Sequence, residues 1–365
     1  MAWSWFICDT ISGRKLAQVE AVGSSPATRK LNGVGTGTHE FVTSTIGAGS
    51  TPAARRSSRL DLTRTWARTV VQCWNGKPMY AGLIVGKAPG RGGTVSLRTV
   101  DVREVLKYRT TFGISGYNGA DDEQLKLEKQ SLASIAGYLI WDVMQGPTGN
   151  WQLPLILPPR DIAGPHDRTY HEFNLPVIER ELAAIQNTDG GPDVDFDPKW
   201  TSSDTLQWEA RVGALTGSAL QFNQSVPQPP LTDFGFVEDG NAQGNVFYAI
   251  GNGSDRDLKV ARSATILAAD EPALERIVRY TQERDQTVLQ SRADEDLRVY
   301  KNPTRQYSFS MQADGIPSAG NLRLGQRISV YTQDDDWLPD GWLDTRLVGF
   351  TIGTGNTVQL QLQEQ

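Results

Sequence analysis

Short strand-like runs of apolar and polar residues, joined by glycine-rich turns, fill the two ends of the chain. Residues 3–8 and 16–22 form two such runs, separated by Ser12-Gly13. Residues 39–44 follow the glycine-rich Gly33-Val34-Gly35-Thr36-Gly37. The clearest pairing signal is Thr69-Val70-Val71-Gln72-Cys73-Trp74, then Asn75-Gly76, then a second run over 77–85. Asn-Gly supplies the positive φ values of a tight hairpin turn. Residues 89–93 make another turn, Thr94-Val95-Ser96-Leu97 returns as a strand, and Asp101 is placed to cap a short helix over 102–107. Near the C-terminus, residues 307–312, 327–331 and 346–352 read as strands. Val358-Gln359-Leu360-Gln361-Leu362-Gln363 alternates without a break, so one face is apolar and the other carries amides.

The middle of the chain mixes periods. Leu125, Leu132, Ile135, Ala136, Leu139, Ile140 and Val143 fall on one helical stripe, and Gly146-Pro147 should end that helix. Residues 153–157 read as a strand that two prolines stop. Asn174 can cap a helix through Gln186, with Val177, Ile178, Leu182 and Ile185 as its apolar face. Residues 206–212 and 245–250 are strand-like. Asp270-Glu271-Pro272 predicts the start of a helix, with Asp as cap and Pro in the first turn. A polar helix over 285–300 follows.

The two ends echo each other. One has Thr69-Val70-Val71, a Trp-bearing turn, Gly82-Leu83-Ile84-Val85, then Gly93-Thr94-Val95-Ser96-Leu97. The other has Arg327-Ile328-Ser329-Val330-Tyr331, a Trp-bearing turn, Gly349-Phe350-Thr351-Ile352, then Asn356-Thr357-Val358-Gln359-Leu360. We read this as two copies of one small β-barrel module. The expected fold class is mainly β with inserted α/β segments (α+β), carrying two tube-like β-barrel modules per chain. The expected division is 1–113, first barrel; 114–198, mixed connecting module; 199–302, inserted α+β module; 303–365, second barrel, completed by strands from 114–198. Two similar modules per chain would double the apparent symmetry of a closed oligomer, so that three chains present six similar barrels.

Composition sharpens this picture. At 365 residues the chain is too long for one ordinary core. Ten tryptophans and 36 glycines favour strands and turns over a helical bundle. No stretch approaches the ~18–20 apolar residues of a membrane span, so no membrane insertion is expected. The opening Met1-Ala2-Trp3-Ser4-Trp5-Phe6-Ile7-Cys8 lacks a basic n-region and reads as a first strand, not a signal peptide. Cys8 and Cys73 sit in apolar strand-like runs and read as buried free thiols. Those two cysteines and His39, His166 and His171 do not make a zinc site.

Charge is uneven. Residues 1–110 carry 16 Lys+Arg against 6 Asp+Glu, while the remainder carries 20 against 36. The basic excess is densest at Arg55, Arg56, Arg59, Arg64 and Arg68. It reads as a solvated or subunit-contacting face, with a nucleic-acid patch as the alternative.

Chemistry-bearing motifs are scarce. There is no Gly-x-Ser-x-Gly elbow, P-loop, His-Glu-x-x-His or Cys-x-x-Cys. With 42 acidic residues, a chance carboxylate pair carries no glycosidase signal. No catalytic, cofactor-binding or metal-binding residue is assigned, and no cofactor is expected. The most metal-like stretch runs from Asp189-Gly190-Gly191-Pro192 through Asp193, Asp195 and Asp197. It lacks the glycine and terminal glutamate of an EF-hand, and reads as a turn into a strand with Val194 and Phe196 facing in. Asp334-Asp335-Asp336 reads as a solvated turn tip, and Asp340-Gly341 as a tight turn. Trp66, Trp74, Trp208, Trp337 and Trp342 could stack on sugars, although core or interface packing is the commoner fate of such residues.

The run Trp74-Asn75-Gly76-Lys77-Pro78-Met79-Tyr80-Ala81-Gly82-Leu83-Ile84 follows an opening strand, a glycine-rich loop and an Arg-rich helix. With the Thr-Val-x-Leu strand after it, this order resembles the minor tail proteins, or baseplate hubs, of long-tailed phages infecting actinobacteria. Gly190-Gly191-Pro192-Asp193-Val194-Asp195-Phe196 fits too, as does the closing Trp337-Leu338-Pro339-Asp340-Gly341-Trp342 with Arg346-Leu347-Val348-Gly349-Phe350. The resemblance implies a baseplate-hub-like homotrimer at the tail tip of the virion, made in the host cytoplasm. It would sit below the distal tail protein ring, touch the tape-measure protein and other minor tail or fibre proteins, and let DNA pass without specific binding. Gln359, Gln361 and Gln363 would be either a lumen strip or a plain solvated face. Because the chain stops just after its last strand, host binding or wall lysis would fall to other proteins. Two alternatives remain: a carbohydrate- or receptor-binding virion module, and a cell-wall hydrolase.

Overall fold

The computed structural model describes residues 3–90, 92–112, 124–146, 148–188, 190–266, 270–281 and 283–364, with only the backbone at 234 and 304. The expected helix stop at Pro147, the first aspartate of the acidic stretch, Asp189, and the 113/114 boundary lie outside these residues. The architecture is mainly β.

The chain opens with β1 (Trp3–Asp9), β2 (Lys15–Val19), β3 (Ala21–Val22), β4 (Ala27–Lys30) and β5 (Thr36–Val42). Helix α1 (Pro52–Leu62) follows, with the Thr51 hydroxyl accepting the Ala54 N–H at 3.1 Å and Pro52 in the first turn. Strands β6 (Arg68–Trp74), β7 (Lys77–Pro89) and β8 (Thr94–Asp101) form the expected meander. Its first turn has Asn75 at φ 49° and Gly76 at φ 81°, as a two-residue hairpin needs. Asp101 caps the predicted short helix, a 3-10 turn over Val102–Tyr108.

Next come β9 (Gln124–Gln130), α2 (Leu132–Asp142), β10 (Leu155–Ile156), β11 (His166–His171), α3 (Ile178–Gln186), β12 (Asp193–Trp200) and β13 (Leu206–Gly213). Two helix expectations are corrected here. Leu125 belongs to β9 and not to the helical stripe; it pairs with Tyr170 of β11. The helix starts only after Ser131, whose hydroxyl accepts the Ser134 N–H at 3.1 Å. Asn174 does not cap α3, since it ends a separate 3-10 turn (Glu172–Asn174). Leu175 then stands at φ 42°, ahead of Pro176, and a residue before proline resists the helical region. The strand expected over 153–157 shrinks to β10 between its prolines.

The remaining elements are β14 (Leu220–Asn223), β15 (Leu231–Asp239), β16 (Val246–Ile250), β17 (Val260–Ala264), β18 (Glu275–Arg279), α4 (Gln286–Tyr300), β19 (Thr304–Gln312), β20 (Arg327–Thr332), β21 (Gly341–Ile352) and β22 (Thr357–Glu364). The helix expected from Asp270-Glu271-Pro272 is absent, and the chain there enters β18. The Asn245 side chain accepts the Leu274 N–H at 2.7 Å and donates to the Pro272 carbonyl at 2.9 Å. That clamp delivers the segment extended, to pair in parallel with β16. Sheet pairing thus outweighs the local cap signal.

The chain divides into two compact units. One runs to Phe234 and resumes over Ser308–Gln363; the other is Gly235–Tyr307. The smaller unit is a three-stranded sheet, β17-β16-β18, with α4 packed on it through Leu289 and Ala293 against Ala249 and Ala261. In the larger unit both ends of the chain share one sheet, because β21 pairs with β4 and sets Phe350 opposite Arg29.

Pairing around β2 and β3 is split. β2 pairs with β1, β3 pairs with β5, and the Glu20 carbonyl between them accepts the Val42 N–H at 3.3 Å. The run β1-β6-β7-β8-β5 therefore has its two outer strands bonded to successive pieces of the same segment. In the C-terminal half, the order is β14-β20-β21-β22-β19-β15. There the Gln224 side chain ties β14 to β15, donating to the Leu231 carbonyl at 2.8 Å and accepting its N–H at 3.2 Å.

Every residue of β6 is buried, because its two faces meet different cores. Val70 packs with Trp5, Ile7, Phe41, Ile84 and Leu97. Val71 and Cys73 face a larger core that includes Leu139 of α2, Leu182 of α3 and Trp208 of β13. Cys8 and Cys73 are buried and free.

Candidate functional site

The densest polar construction in the larger unit is built on the acidic strand β12. It pairs antiparallel with β13, so side chains alternate between two faces. Val194 and Phe196 point into the core, as expected, with Leu206, Trp208 and Ala210 of β13. Asp193, Asp195 and Asp197 take the other face with Glu209 and Arg211.

Those aspartates meet arginines. Arg29 of β4, 5 % exposed, sends Nη2 to Asp195 and Nη1 to Asp197, each at 2.7 Å. Asp195 also accepts from Arg211 at 2.9 Å. Asp197 accepts from Arg323 Nε at 3.1 Å, and Arg323 reaches on to Glu209 at 2.5 Å. Asp193 holds Arg346 of β21 and accepts the Asn32 amide at 3.0 Å. Remaining donors find carbonyls: Arg211 to Leu324 at 3.0 Å, Arg346 to Gly325 at 3.1 Å and to Leu215 at 3.0 Å.

The electrostatics are mutual. Burial alone would raise the Asp197 carboxyl, but Arg29 and Arg323 hold it below the usual range. Burial likewise works against the charged Arg29 guanidinium, and Asp195 and Asp197 more than offset it. Carboxylates saturated by permanently charged guanidinium groups have no role in proton transfer. The cluster is a brace that fixes β4, the β12–β13 hairpin, the 323–325 loop and β21 to one another. Sequence reading singled out its aspartates but missed Arg29, Arg211, Arg323 and Arg346. The legible signal was Glu209-Ala210-Arg211, a charged face at strand period opposite the aspartates. Among the described residues, no group of three or more His, Cys, Asp or Glu could hold a metal ion.

The other singled-out residues are scattered. Asp334-Asp335-Asp336 is an exposed tip, where Asp335 accepts the Trp337 and Leu338 N–H groups at 2.8 and 2.9 Å. Trp74 and Trp208 are core residues, whereas Trp66, Trp337 and Trp342 are 42 %, 73 % and 54 % exposed. Trp342 stacks edge-on against Tyr331, and Trp66 against Tyr108. The arginine group divides. Arg68 is buried between Asp9 and Asp61, and Arg59 donates to the Thr43 carbonyl, while Arg55 and Arg56 are exposed on α1. Gln359 and Gln363 are exposed and Gln361 half-buried, with Val358, Leu360 and Leu362 inside.

His39 is fully buried with Nε2 at 3.2 Å from the Thr99 hydroxyl, and burial pushes its pKa down to about 3. Its folded value lies below its unfolded one, so its contribution is present above about pH 6.5 and is lost as pH falls toward 3. Asp101 has the opposite sign: burial pushes its carboxyl up to about 7, so its contribution is lost as pH rises toward 7. Between about pH 4 and 6.5 the two slopes oppose each other, at ~1.4 kcal/mol per pH unit each. Urea unfolding of His39→Gln across that window should show stability rising as pH falls, relative to the wild type. Parallel profiles would refute the burial of a neutral His39.

No protein-family model and no curated protein matches this chain. Solved structures do. A tail protein from Neisseria meningitidis MC58 superposes with a TM-score of 0.61 at 11% identity, over 100% of this chain and 97% of that one. The 43 kDa tail protein of prophage MuSo2 from Shewanella oneidensis gives 0.61 at 11%, over 98% of each. Prophage tail protein gp18 from Listeria monocytogenes EGD-e gives 0.53 at 8%, over 99% and 94%. From β1 to β22, this chain has the fold of phage tail proteins.

Proposed function

We propose that the chain is a structural protein of a phage tail, serving as the hub at the tail tip. In this reading three copies form a ring that closes the tail tube, meets the distal tail protein ring on one side, and receives the end of the tape-measure protein. DNA crosses the ring during ejection without specific binding. The protein is made in the host cytoplasm and ends up in the virion. The carrying observation is the end-to-end likeness to tail proteins. The motif around Trp74-Asn75-Gly76 supports an actinobacterial host.

Two features support a pair of tube-like modules, one in residues 1–113 and one in 303–365 whose sheet is extended by β14 and β15 of the 199–302 segment and not by the expected strands from 114–198. The split pairing on either side of Glu20 brings the first meander back on itself. Gln224 ties the outer strands of the C-terminal order together. Hub work is geometric: strand edges must be covered by neighbours, since bare ones template aggregation. The acidic balance of residues 111–365 suits a wall past which DNA slides without sticking.

The test is class averaging of concentrated protein by negative-stain microscopy. Threefold rings with an open centre are expected. Compact single particles at every concentration, also in the presence of a distal tail protein ring, would overturn the hub reading. Tight, salt-sensitive binding of duplex DNA would overturn the inert channel.

A further inference from the structure

Two exposed surfaces of the larger unit carry opposite charge. Helix α1 has eleven residues and none is buried. An isolated helix of that length is marginal in water. Its Thr51 cap, Leu62 and the Arg59 contact with the Thr43 carbonyl anchor it, while Arg55, Arg56 and Leu60 are exposed, Leu60 at 53 %, and Arg55 also donates to the Gly49 carbonyl at 3.2 Å. Between 52 and 64 there are four arginines and one acid, Asp61.

The second surface is the tip between β20 and β21. Residues 332–345 hold Asp334, Asp335, Asp336, Asp340 and Asp344 and no Lys or Arg, and of these Asp344 is paired with Arg327 of β20. Trp337 and Trp342 flank it, both more than half exposed. Large exposed aromatics are enriched at interfaces, and the aspartates around them give this surface one sign of charge, which sets which surface it can meet. Among the described residues no ion pair joins this tip to α1 within the chain.

We propose that the acidic, tryptophan-bearing tip of one copy docks on the basic helix α1 of the next copy. This rests on the ring reading above and names its contact. Arg55 and Arg56 meet Asp334 and Asp336, while Trp337 and Trp342 cover Leu60 and the aliphatic stems of the arginines. The two patches differ, so every copy uses one of each. Such head-to-tail contacts close into a ring when the rotation per step divides the circle.

The test compares wild type, Arg56→Glu, Asp336→Arg and the double variant by sedimentation, at low and at moderate salt. Neither side chain makes an ion pair or hydrogen bond among the described residues, so the variants should fold with unchanged melting temperature. Each single reversal is expected to weaken self-association about tenfold or more, and the exchange to restore it. Singles that associate like wild type would overturn this docking while leaving the ring. Two-copy particles that obey the same reversal and rescue would support the docking and overturn the ring. Wild type that stays single throughout would overturn both.

Discussion

Replacing Arg29 by leucine should destabilise the protein by about 3–5 kcal/mol, the usual cost of removing one partner from a buried ion pair. Among the described residues Arg29 is the one cation that touches both Asp195 and Asp197, and only 6% of its side chain is exposed. Without it, Asp195 keeps only Arg211 and Asp197 keeps only Arg323, which is 44% exposed. The Phe350 ring also loses the guanidinium lying 5.7 Å from its centre. Chemical denaturation reads the loss directly. A second variant separates charge from packing. Adding Asp197→Asn to Arg29→Leu removes the stranded charge while leaving Asp195 paired with Arg211 and Arg323 paired with Glu209, and should recover a large part of the deficit, because well-packed neutral groups often replace buried ions at little net cost. If the double variant is no better than the single, the deficit belongs to lost packing on Phe350 and the brace argument fails.

The brace also shows where sequence reading stops. The period-two alternation of β22, the strand runs of β1, β6 and β7, the Asn75-Gly76 turn and the Asp101 cap are local signals, and each stands where it was expected. Val194 and Phe196 facing inward followed from alternation alone. Nothing local says that Arg29 lies against Asp195, since 166 residues separate them and β4 is only four residues long. The misplaced helices have a common cause. Asp270-Glu271-Pro272 and Asn174 are sound cap signals, overruled by pairing with β16 in one case and by the Leu175-Pro176 backbone in the other. Period two in Leu125-Lys126-Leu127-Glu128 was legible, but the neighbouring apolar run masked it. The exposed aromatic tip was half legible. A Trp-bearing acidic turn stands out in the sequence, whereas burial of Trp74 and Trp208 against exposure of Trp337 and Trp342 depends on the partner strands.

Trp208→Ala should cost about 3–5 kcal/mol, the range for deleting a large aromatic from a core. Trp208 is 1 % exposed and sits on the inner face of β13, opposite Pro198 of β12 and beside the parallel partner Leu155 of β10. Its backbone N–H is held by the Pro154 carbonyl at 3.0 Å. Three rows of contact converge there: the β12–β13 hairpin, helix α2 and the Cys73 face of β6, all in one cluster. The indole N–H has no hydrogen-bond partner. That makes the expected result more specific than a size argument, because an unpaired buried donor already costs free energy in the wild type. Trp208→Leu should therefore cost clearly less than alanine, since it keeps part of the volume and removes the unpaired donor. A leucine variant as weak as the alanine one would mean the indole N–H is satisfied in solution. An alanine variant within about 1 kcal/mol of wild type would mean the core closes over the gap, and that β13 is not the keystone joining the first meander to the helices.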